Sequence, residues 1–471
     1  MKSSLKLYAK SIGLAIVLFG LLINPWMLGK LFSLEGAFRS GATKIAIYIV
    51  ELTLITIGLT AFFFAKTVIG KFKEIMLLIF AIFIMLIVSN ILLIKYYSFG
   101  LEYGWLPDPI RHHKLIPNVK FKLQSPDYSN LAELYLRQVH HTITAVPNSY
   151  GFLQGETSIN DNSKTRILLL GDSFTAAAYL PENFADILEK KLNSYYNTDK
   201  IEIVNTGLGS YSPIIEYNIL KHYGLMFKPK IVILNLDMTD VQNDFEYHHQ
   251  ISSGKSKDDY KFELGKMPFL LRSGHEKIYT NLKLMFSIWE SSVKRLTEKT
   301  AKQDENEIQS IIMKNIEMHR RESGNISIDT LYAYTYKNES EFKNHLNLTL
   351  YYINKINDLS RENNVTFILH SYPHSPQISD GYICFRESLG MEKNKIYSNL
   401  IFDELRLFSS QKNITLWLSN DVLKNSKDPV YYPCDMHFNE NGHRLVADFL
   451  FNKLINSGLL SKNINKSNLL G

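Results

Sequence analysis

Three residues of this chain have the types that acyl transfer needs, and two of them are one residue apart. Ser173 follows the apolar run Arg166-Ile-Leu-Leu-Leu170 within Gly171-Asp172-Ser173-Phe174-Thr175; Asp435 and His437 belong to Asp435-Met-His437-Phe-Asn439-Glu-Asn-Gly442-His443 near the other end. A serine hydroxyl is a weak nucleophile. It needs a base to take its proton, and the base needs an acid to fix its tautomer and steady its positive charge. Asp435 and His437 can come from one loop, so their mutual orientation is set locally. An apolar run that ends in Gly-Asp-Ser ahead of a helix-prone segment reads as a buried strand delivering the serine at its carboxyl end, where α/β enzymes keep their chemistry. Alone, Gly-Asp-Ser is equally a plain strand-to-helix turn with Asp172 or Ser173 as its cap. The distant Asp/His stretch tips the reading toward a nucleophile. His443 is the rival base, but its context suits a surface or helix-start residue better.

Positioning these groups takes a sheet, and the chain supplies the strands for one. Ile201–Val204 leads into Asn205-Thr206-Gly207-Leu208-Gly209-Ser210, Ile231–Leu236 into Asp237-Met-Thr239-Asp240 and Asn243-Asp244, and Val365–Leu369 into Tyr372-Pro373-His374, while Ile414–Leu418 precedes the Asp/His loop. Between them, Pro181–Tyr196 carries Phe184, Ile187, Leu188, Leu192 and Tyr195 at helical spacing, and a second helix carries Leu346, Leu350, Ile353, Ile356 and Leu359 on one face. Strands alternating with helices argue for an α/β fold with a doubly wound parallel sheet, every polar cluster falling at a strand's carboxyl end. Residues 245–336 interrupt the pattern with polar, charged, helix-prone sequence. They read as a solvated helical insertion, or as a lid placed directly after a site strand.

The two motifs resemble the SGNH (GDSL) hydrolase family, whose nucleophile block reads Gly-Asp-Ser-Phe or Gly-Asp-Ser-Leu and whose last block puts an Asp and a His just before a C-terminal helix. The resemblance spans roughly residues 145–455. It implies a Ser173, Asp435, His437 triad and an oxyanion hole drawn from the Ser173 amide, from Gly209 or Ser210 in the second block, and from a third donor after the next strand. The family has an Asn-Asp pair there; this chain has Thr239-Asp240, so Thr239 donates through its hydroxyl or Asn243 reaches in from four residues later. Asp172, Asp240 and His374 reach the same edge and are candidate substrate contacts, with a loop anchor the plainer role for His374. Pro147-Asn148-Ser149-Tyr150-Gly151-Phe152 resembles the family's lead-in, with Leu153 where many members have Arg. Many members also separate the acid and base by two residues, which would put Cys434 in the acid's place. The one-residue spacing followed by Phe-Asn-x-x-Gly-His resembles the membrane-associated branch that acts in polysaccharide O-acetylation. The resemblance therefore implies a serine esterase or O-acyltransferase working through an acyl-enzyme, without a cofactor. The other class consistent with the residues is a catalytically weakened scaffold or glycan-binding subunit of an envelope polysaccharide assembly system.

Ahead of this domain lie three apolar runs, about Leu7 to Leu28, Ala42 to Ala65 and Ile75 to Leu93, each of a length that spans a bilayer. Lys2, Lys6 and Lys10 precede the first, and Lys66, Lys71 and Lys73 fill the loop before the third. Three spans with those flanks send the rest of the chain to the extracytoplasmic side of the cytoplasmic membrane. The organisation expected is a membrane anchor (1–96), a linker (97–144), the hydrolase-like domain (145–460) and a tail (461–471). Glu51 lies within the second run and is either functional or reaching for the interface. A net charge of +6, from 52 basic against 46 acidic residues, is small and partly concentrated beside the apolar runs, and no nucleic-acid motif accompanies it. The expected partners are a lipid bilayer and an ester-bearing, polysaccharide-like substrate. The two cysteines, Cys384 and Cys434, either pair or stay as buried thiols, and neither has a second Cys or His at metal-ligand spacing.

Overall fold

The computed structural model describes residues 2–32, 41–65, 99–100, 104–124, 142–177, 179–252, 260–262, 276, 279–281, 283–284, 339–379, 399–432 and 435–460. The chain forms two compact units, Met1–Gly104 with Leu264–Asp304, and Trp105–Glu263 with Glu305–Gly471.

In the first unit, α1 (Lys2–Leu22), α2 (Pro25–Phe32) and α3 (Gly41–Phe63) are helical. The first apolar run is not one helix. Asn24 accepts from the amides of Trp26 (3.1 Å) and Met27 (2.9 Å), and Pro25 opens α2, so the run breaks in its second half. α3 follows the second run closely. α1 and α3 pack through glycines: a Cβ on Gly13 would lie 2.7 Å from the Gly58 carbonyl oxygen. No helix among the described residues is long and apolar enough to cross a membrane. The third run, both cysteines and most of the 245–336 insertion lie outside the described residues.

The second unit is an α/β domain. Its sheet comprises β5 (Thr165–Gly171), β6 (Ile201–Asn205), β7 (Ile231–Leu236), β8 (Thr366–Ser371) and β9 (Thr415–Leu418), in the order β9-β8-β7-β5-β6; every pairing is parallel. All residues of β5 and β7 are buried, which is why their centres read as the apolar runs Ile167–Leu170 and Ile231–Leu234, whereas the edge strand β9 is partly exposed. Helices α4 (Phe184–Tyr196) and α9 (Glu440–Ser457) pack together, and Phe184, Leu188, Leu192, Leu450 and Leu454 form one core with Ile167, Leu169, Ile231 and Ile233. A separate group of helices packs as α5 (Pro213–His222), α6 (Asp240–His248) and α7 (Glu339–Glu362), while α8 (Leu400–Lys412) lies beside β9. The chain steps from β5 outward to β6, then returns across β5 to β7. The carboxyl ends of β5 and β7 therefore flank the point where the winding reverses, the crevice in which such sheets hold their ligands.

The segment expected as a linker is partly structured and belongs to this unit. Strands β1 (Trp105–Asp108) and β2 (His112–Leu115) form an antiparallel hairpin, turned by Asp108 Oδ1 accepting from the amides of Ile110 (2.9 Å) and Arg111 (3.0 Å). Strands β3 (Phe121–Gln124) and β4 (Thr142–Ala145) form a second antiparallel pair.

Gly171 is fixed by what surrounds it. A Cβ there would meet Thr175 Oγ1 at 2.1 Å and Thr175 Cβ at 2.8 Å, so only glycine lets the strand bend into the helical turn Ser173–Ala176. Gly171→Ala is expected to cost about 3 kcal/mol, the upper part of the range for overpacking, read as a lower melting temperature.

Candidate active site

The turn after β5 is built by its own side chains and by the loop after β6. Asp172 Oδ1 accepts from the Phe174 amide (2.9 Å), Asn205 Nδ2 donates to the Thr175 carbonyl (2.7 Å), and Thr206 Oγ1 donates to the Leu169 carbonyl (2.8 Å). Phe174 drives into the core, so the half-buried Ser173 faces out of the sheet end.

The loop before α9 brings the base to it. Tyr431 and Phe438 form an antiparallel bridge, the Tyr432 amide donates to the His437 carbonyl (3.0 Å), and the Asn439 side chain accepts from the Gly442 amide (3.0 Å) to cap α9. Between these anchors Asp435 Oδ1 accepts from the His437 amide (2.8 Å) and from His437 Nδ1–H. That fixes the tautomer: Nε2 is the acceptor, and Ser173 Oγ donates to it at 2.7 Å. The three residues thus form one hydrogen-bonded chain across 264 positions of sequence. Burial resists a charge on His437, but the Asp435 carboxylate and its hydrogen bond, with Asp172 and Asp237 beyond, lift its pKa above the usual 6.5. A general base works only when neutral, so kcat/KM on an ester is expected to rise with pH through a midpoint above 6.5. A flat profile from pH 5 to 8 would count against His437 as the base.

Of the oxyanion candidates, the Ser173 amide lies in the first turn of its helix, where no intrahelical acceptor exists. Gly209 is beside it, a Cβ on Gly209 lying 4.0 Å from Ser173 Cβ. The loop is held from outside: His113 Nε2 bonds the Gly209 carbonyl (2.9 Å), and the Tyr247 hydroxyl donates to the carbonyl of Ser210, which has φ +60°. Thr239 does not serve as sequence suggests, because its amide (3.0 Å) and its hydroxyl both donate to Asp237 Oδ2. Asn243 lies in α6, one turn before Tyr247, whose hydroxyl holds the Ser210 carbonyl.

The three suggested substrate contacts are buried. Asp172 is 3% exposed, and Asp240 and His374 are fully enclosed. His374 Nε2 bonds Asp237 Oδ1, and its ring stacks on Phe174 at 5.4 Å, on whose ring His437 also rests at 4.8 Å. It anchors the floor of the site. Burial works to raise the Asp237 pKa, but His374 and Thr239 outweigh it and hold the carboxyl below its ordinary value. Asp172 moves the other way, raised by burial and by the charge of Asp237. His443 is no rival base and is not at the surface. It is fully buried in the first turns of α9, where Nδ1 accepts from the Phe184 amide (3.3 Å), and burial pushes its pKa down to about 3.

Sequence reasoning passed over Trp105, His113 and Tyr179. The Trp105 ring end lies 3.5 Å from where a Gly209 Cβ would be, and it packs on His113 at 4.8 Å, so the hairpin walls one side of the nucleophile. Tyr179 meets the His437 ring edge-on at 5.5 Å and donates to the Phe438 carbonyl at 3.3 Å. None of the three lies in a motif; for Trp105 and His113 the aromatic density of residues 97–144 was the available signal, and Tyr179 had none.

No family model and no curated protein matches this chain. Solved structures do resemble it. An acetyl xylan esterase, AlAXEase, is 13% identical with a TM-score of 0.30, over 61% of this chain and 99% of its own. A GDSL-like lipase from Bacteroides thetaiotaomicron VPI-5482 is 9% identical with a TM-score of 0.31, over 64% and 93%. The lipase/acylhydrolase from Enterococcus faecalis is 13% identical with a TM-score of 0.30, over 62% and 95%. Likenesses this distant assign no activity to the chain.

Proposed function

We propose that this chain is a serine esterase or O-acyltransferase of SGNH/GDSL type, tethered to the cytoplasmic membrane with its catalytic domain outside, and acting on O-acyl groups such as the acetyl esters of an envelope polysaccharide. The observation that carries the chemistry is the continuous hydrogen-bonded chain from Asp435 through His437 to Ser173 at the reversal point of the sheet. Ser173 Oγ attacks the acyl carbon as His437 Nε2 takes its proton. The oxyanion forms against the Ser173 and Gly209 backbone, and the leaving alkoxide departs with the proton from His437. Water or a sugar hydroxyl then takes the acyl group by the reverse steps. Hydrolysis and transfer use the same residues and differ only in which acceptor the site admits.

Support for the tether comes from the first unit. Leu14, Leu18, Phe19, Leu52 and Phe63 are exposed there, and the glycine-mediated approach of α1 and α3 is a packing mode that membranes favour. The polysaccharide substrate and the outward orientation rest on the motif resemblance and on the lysines flanking the apolar runs. The non-catalytic scaffold draws on Thr239, whose hydroxyl is spent on Asp237. The assembled triad weighs against it, since a binding module has no use for three groups in register.

A fluorophosphonate probe tests the reading directly. The detergent-solubilised full chain is expected to label, and Ser173→Ala to abolish labelling while melting like the wild type. Silence of a folded wild-type protein at pH 8 would favour the scaffold. Acetate release from an aryl acetate, with and without oligosaccharide acceptors, then separates hydrolysis from transfer.

A further inference from the structure

The turn that borders the nucleophile is held in a conformation its own sequence disfavours. The Tyr211 amide donates to the Leu208 carbonyl (3.1 Å), closing a four-residue turn with Gly209 and Ser210 at its centre. Gly209 has negative φ and Ser210 has φ +60°. That order of signs is the type II turn, which asks for glycine at its third position. Here the glycine comes one residue early, and a serine occupies the left-handed position that L side chains avoid. A half-rotation of the Gly209–Ser210 peptide would give a type I turn and relieve Ser210.

Such a rotation would reach the chemistry. In a trans peptide the N–H and the C=O point opposite ways, so turning it over puts a carbonyl oxygen where the Ser210 amide had been. The turn is close to Ser173: a Cβ on Gly209 would lie 4.0 Å from Ser173 Cβ, and the Leu208 amide donates to the Gly171 carbonyl (3.3 Å). Among the described residues the Gly209 and Ser210 amides donate to no backbone acceptor, which leaves them open to a developing oxyanion. The flip would set an acceptor beside that charge in place of a donor.

Two side chains from other elements oppose it, one on the carbonyl that would turn and one on the next. His113 Nε2–H, from β2, donates to the Gly209 carbonyl (2.9 Å), and the Tyr247 hydroxyl, from α6, donates to the Ser210 carbonyl (2.9 Å). A carbonyl can only accept, so His113 carries its proton on Nε2 and its Nδ1 accepts from His112 Nδ1–H (2.9 Å). Burial pushes the His113 pKa down to about 4, which keeps this neutral form at neutral pH. The grip is mutual, since the Tyr211 hydroxyl donates to the His113 carbonyl (2.8 Å) and the two rings lie 5.0 Å apart.

We propose that His113 and Tyr247 are positioning residues of the oxyanion hole, locking the Gly209–Ser210 peptide against turning over, and that the Trp105–Leu115 hairpin is thereby a working part of the active site. The proposal deepens the esterase reading and rests on it.

Three substitutions separate the lock from ordinary support of the fold. His113→Phe keeps a ring without the donor, His113→Gln keeps a donor at about the reach of Nε2, and Ser210→Gly removes the penalty on positive φ. With an aryl acetate and the detergent-solubilised full chain, His113→Phe is expected to lower kcat by about 100-fold with KM within about twofold, as for one lost oxyanion donor. His113→Gln should keep most of the wild-type kcat, and adding Ser210→Gly to His113→Phe should recover about tenfold. A folded His113→Phe chain with kcat within about threefold of the wild type overturns the proposal. So does a loss that neither His113→Gln nor Ser210→Gly reverses, which is what a hairpin that only supports the fold would give. Tyr247→Phe leaves the hairpin intact and decides the matter if His113→Phe does not fold: kcat lowered by about tenfold with KM held supports the lock, and an unchanged kcat sinks it. A wild-type chain without Ser173-dependent turnover removes the esterase reading and this proposal together. A wild type that turns over no faster than His113→Phe removes this proposal alone.

Discussion

His437→Ala is expected to lower kcat/KM toward an aryl acetate by about 10,000-fold, and adding Ser173→Ala to it to remove almost nothing more. The reason is that the two residues hold one proton between them: Ser173 Oγ donates to His437 Nε2 at 2.7 Å, and neither atom contributes without the other. No second imidazole stands ready to substitute. His443 accepts the Phe184 amide and is held neutral with a pKa near 3, and His374 is enclosed against Asp237. The check is a double-mutant cycle on purified, folded variants. Losses that multiply, or a His437→Ala enzyme within about tenfold of the wild type, would mean that the proton goes elsewhere and that the close pair is incidental to the reaction.

The site is assembled by contacts of very different sequence range, and that range decides what sequence could reveal. Asp435 and His437 are a local pair, so their relation is visible in three consecutive residues. The central strands are equally legible, because strands covered on both faces carry apolar runs, as Ile167–Leu170 and Ile231–Leu234 are. Helix α4 is announced by Phe184, Leu188 and Leu192 at helical spacing, and the structure adds the reciprocal capping bonds of Asn183 and Asp186 that start it.

What stayed hidden depends on partners far away. Asp237 and His374 meet across 137 residues, and nothing around His374 distinguishes a floor anchor from a substrate contact. Thr239 sits where an oxyanion donor would, yet a carboxylate two residues earlier captures its hydroxyl. The Trp105 hairpin has no hydrophobic period to betray it, being held by Asp108 and by packing on the Gly209 loop. Glu216 reads as an ordinary helical acid between Ile215 and Tyr217, and only the fold buries it completely. Buried polar groups are the part of a site that single-sequence patterns describe worst, since their burial is decided by what the rest of the chain leaves uncovered. In the first apolar run the opposite holds: Asn24-Pro25 was in plain view, and its capping bonds break a stretch whose average hydropathy alone suggested continuity.

Asp435→Asn is expected to lower kcat by about 1,000- to 10,000-fold while leaving the fold and KM little changed. The carboxylate does two things at once. Its Oδ1 accepts a hydrogen bond from Nδ1–H, which leaves Nε2 free to accept from Ser173, and its charge raises the His437 pKa against the cost of burial. An amide can present its NH2 to Nδ1 and drive the proton onto Nε2, the wrong tautomer for a base. The charge is lost in either orientation, so the pH midpoint of whatever activity remains should move down toward or below 6.5. Rate and midpoint are therefore coupled. A variant that loses rate with its midpoint unmoved has lost alignment only. A variant that keeps its rate shows that Asp435 is not the acid of this site, and the Asp435-Met-His437 spacing would then need another partner for Nδ1.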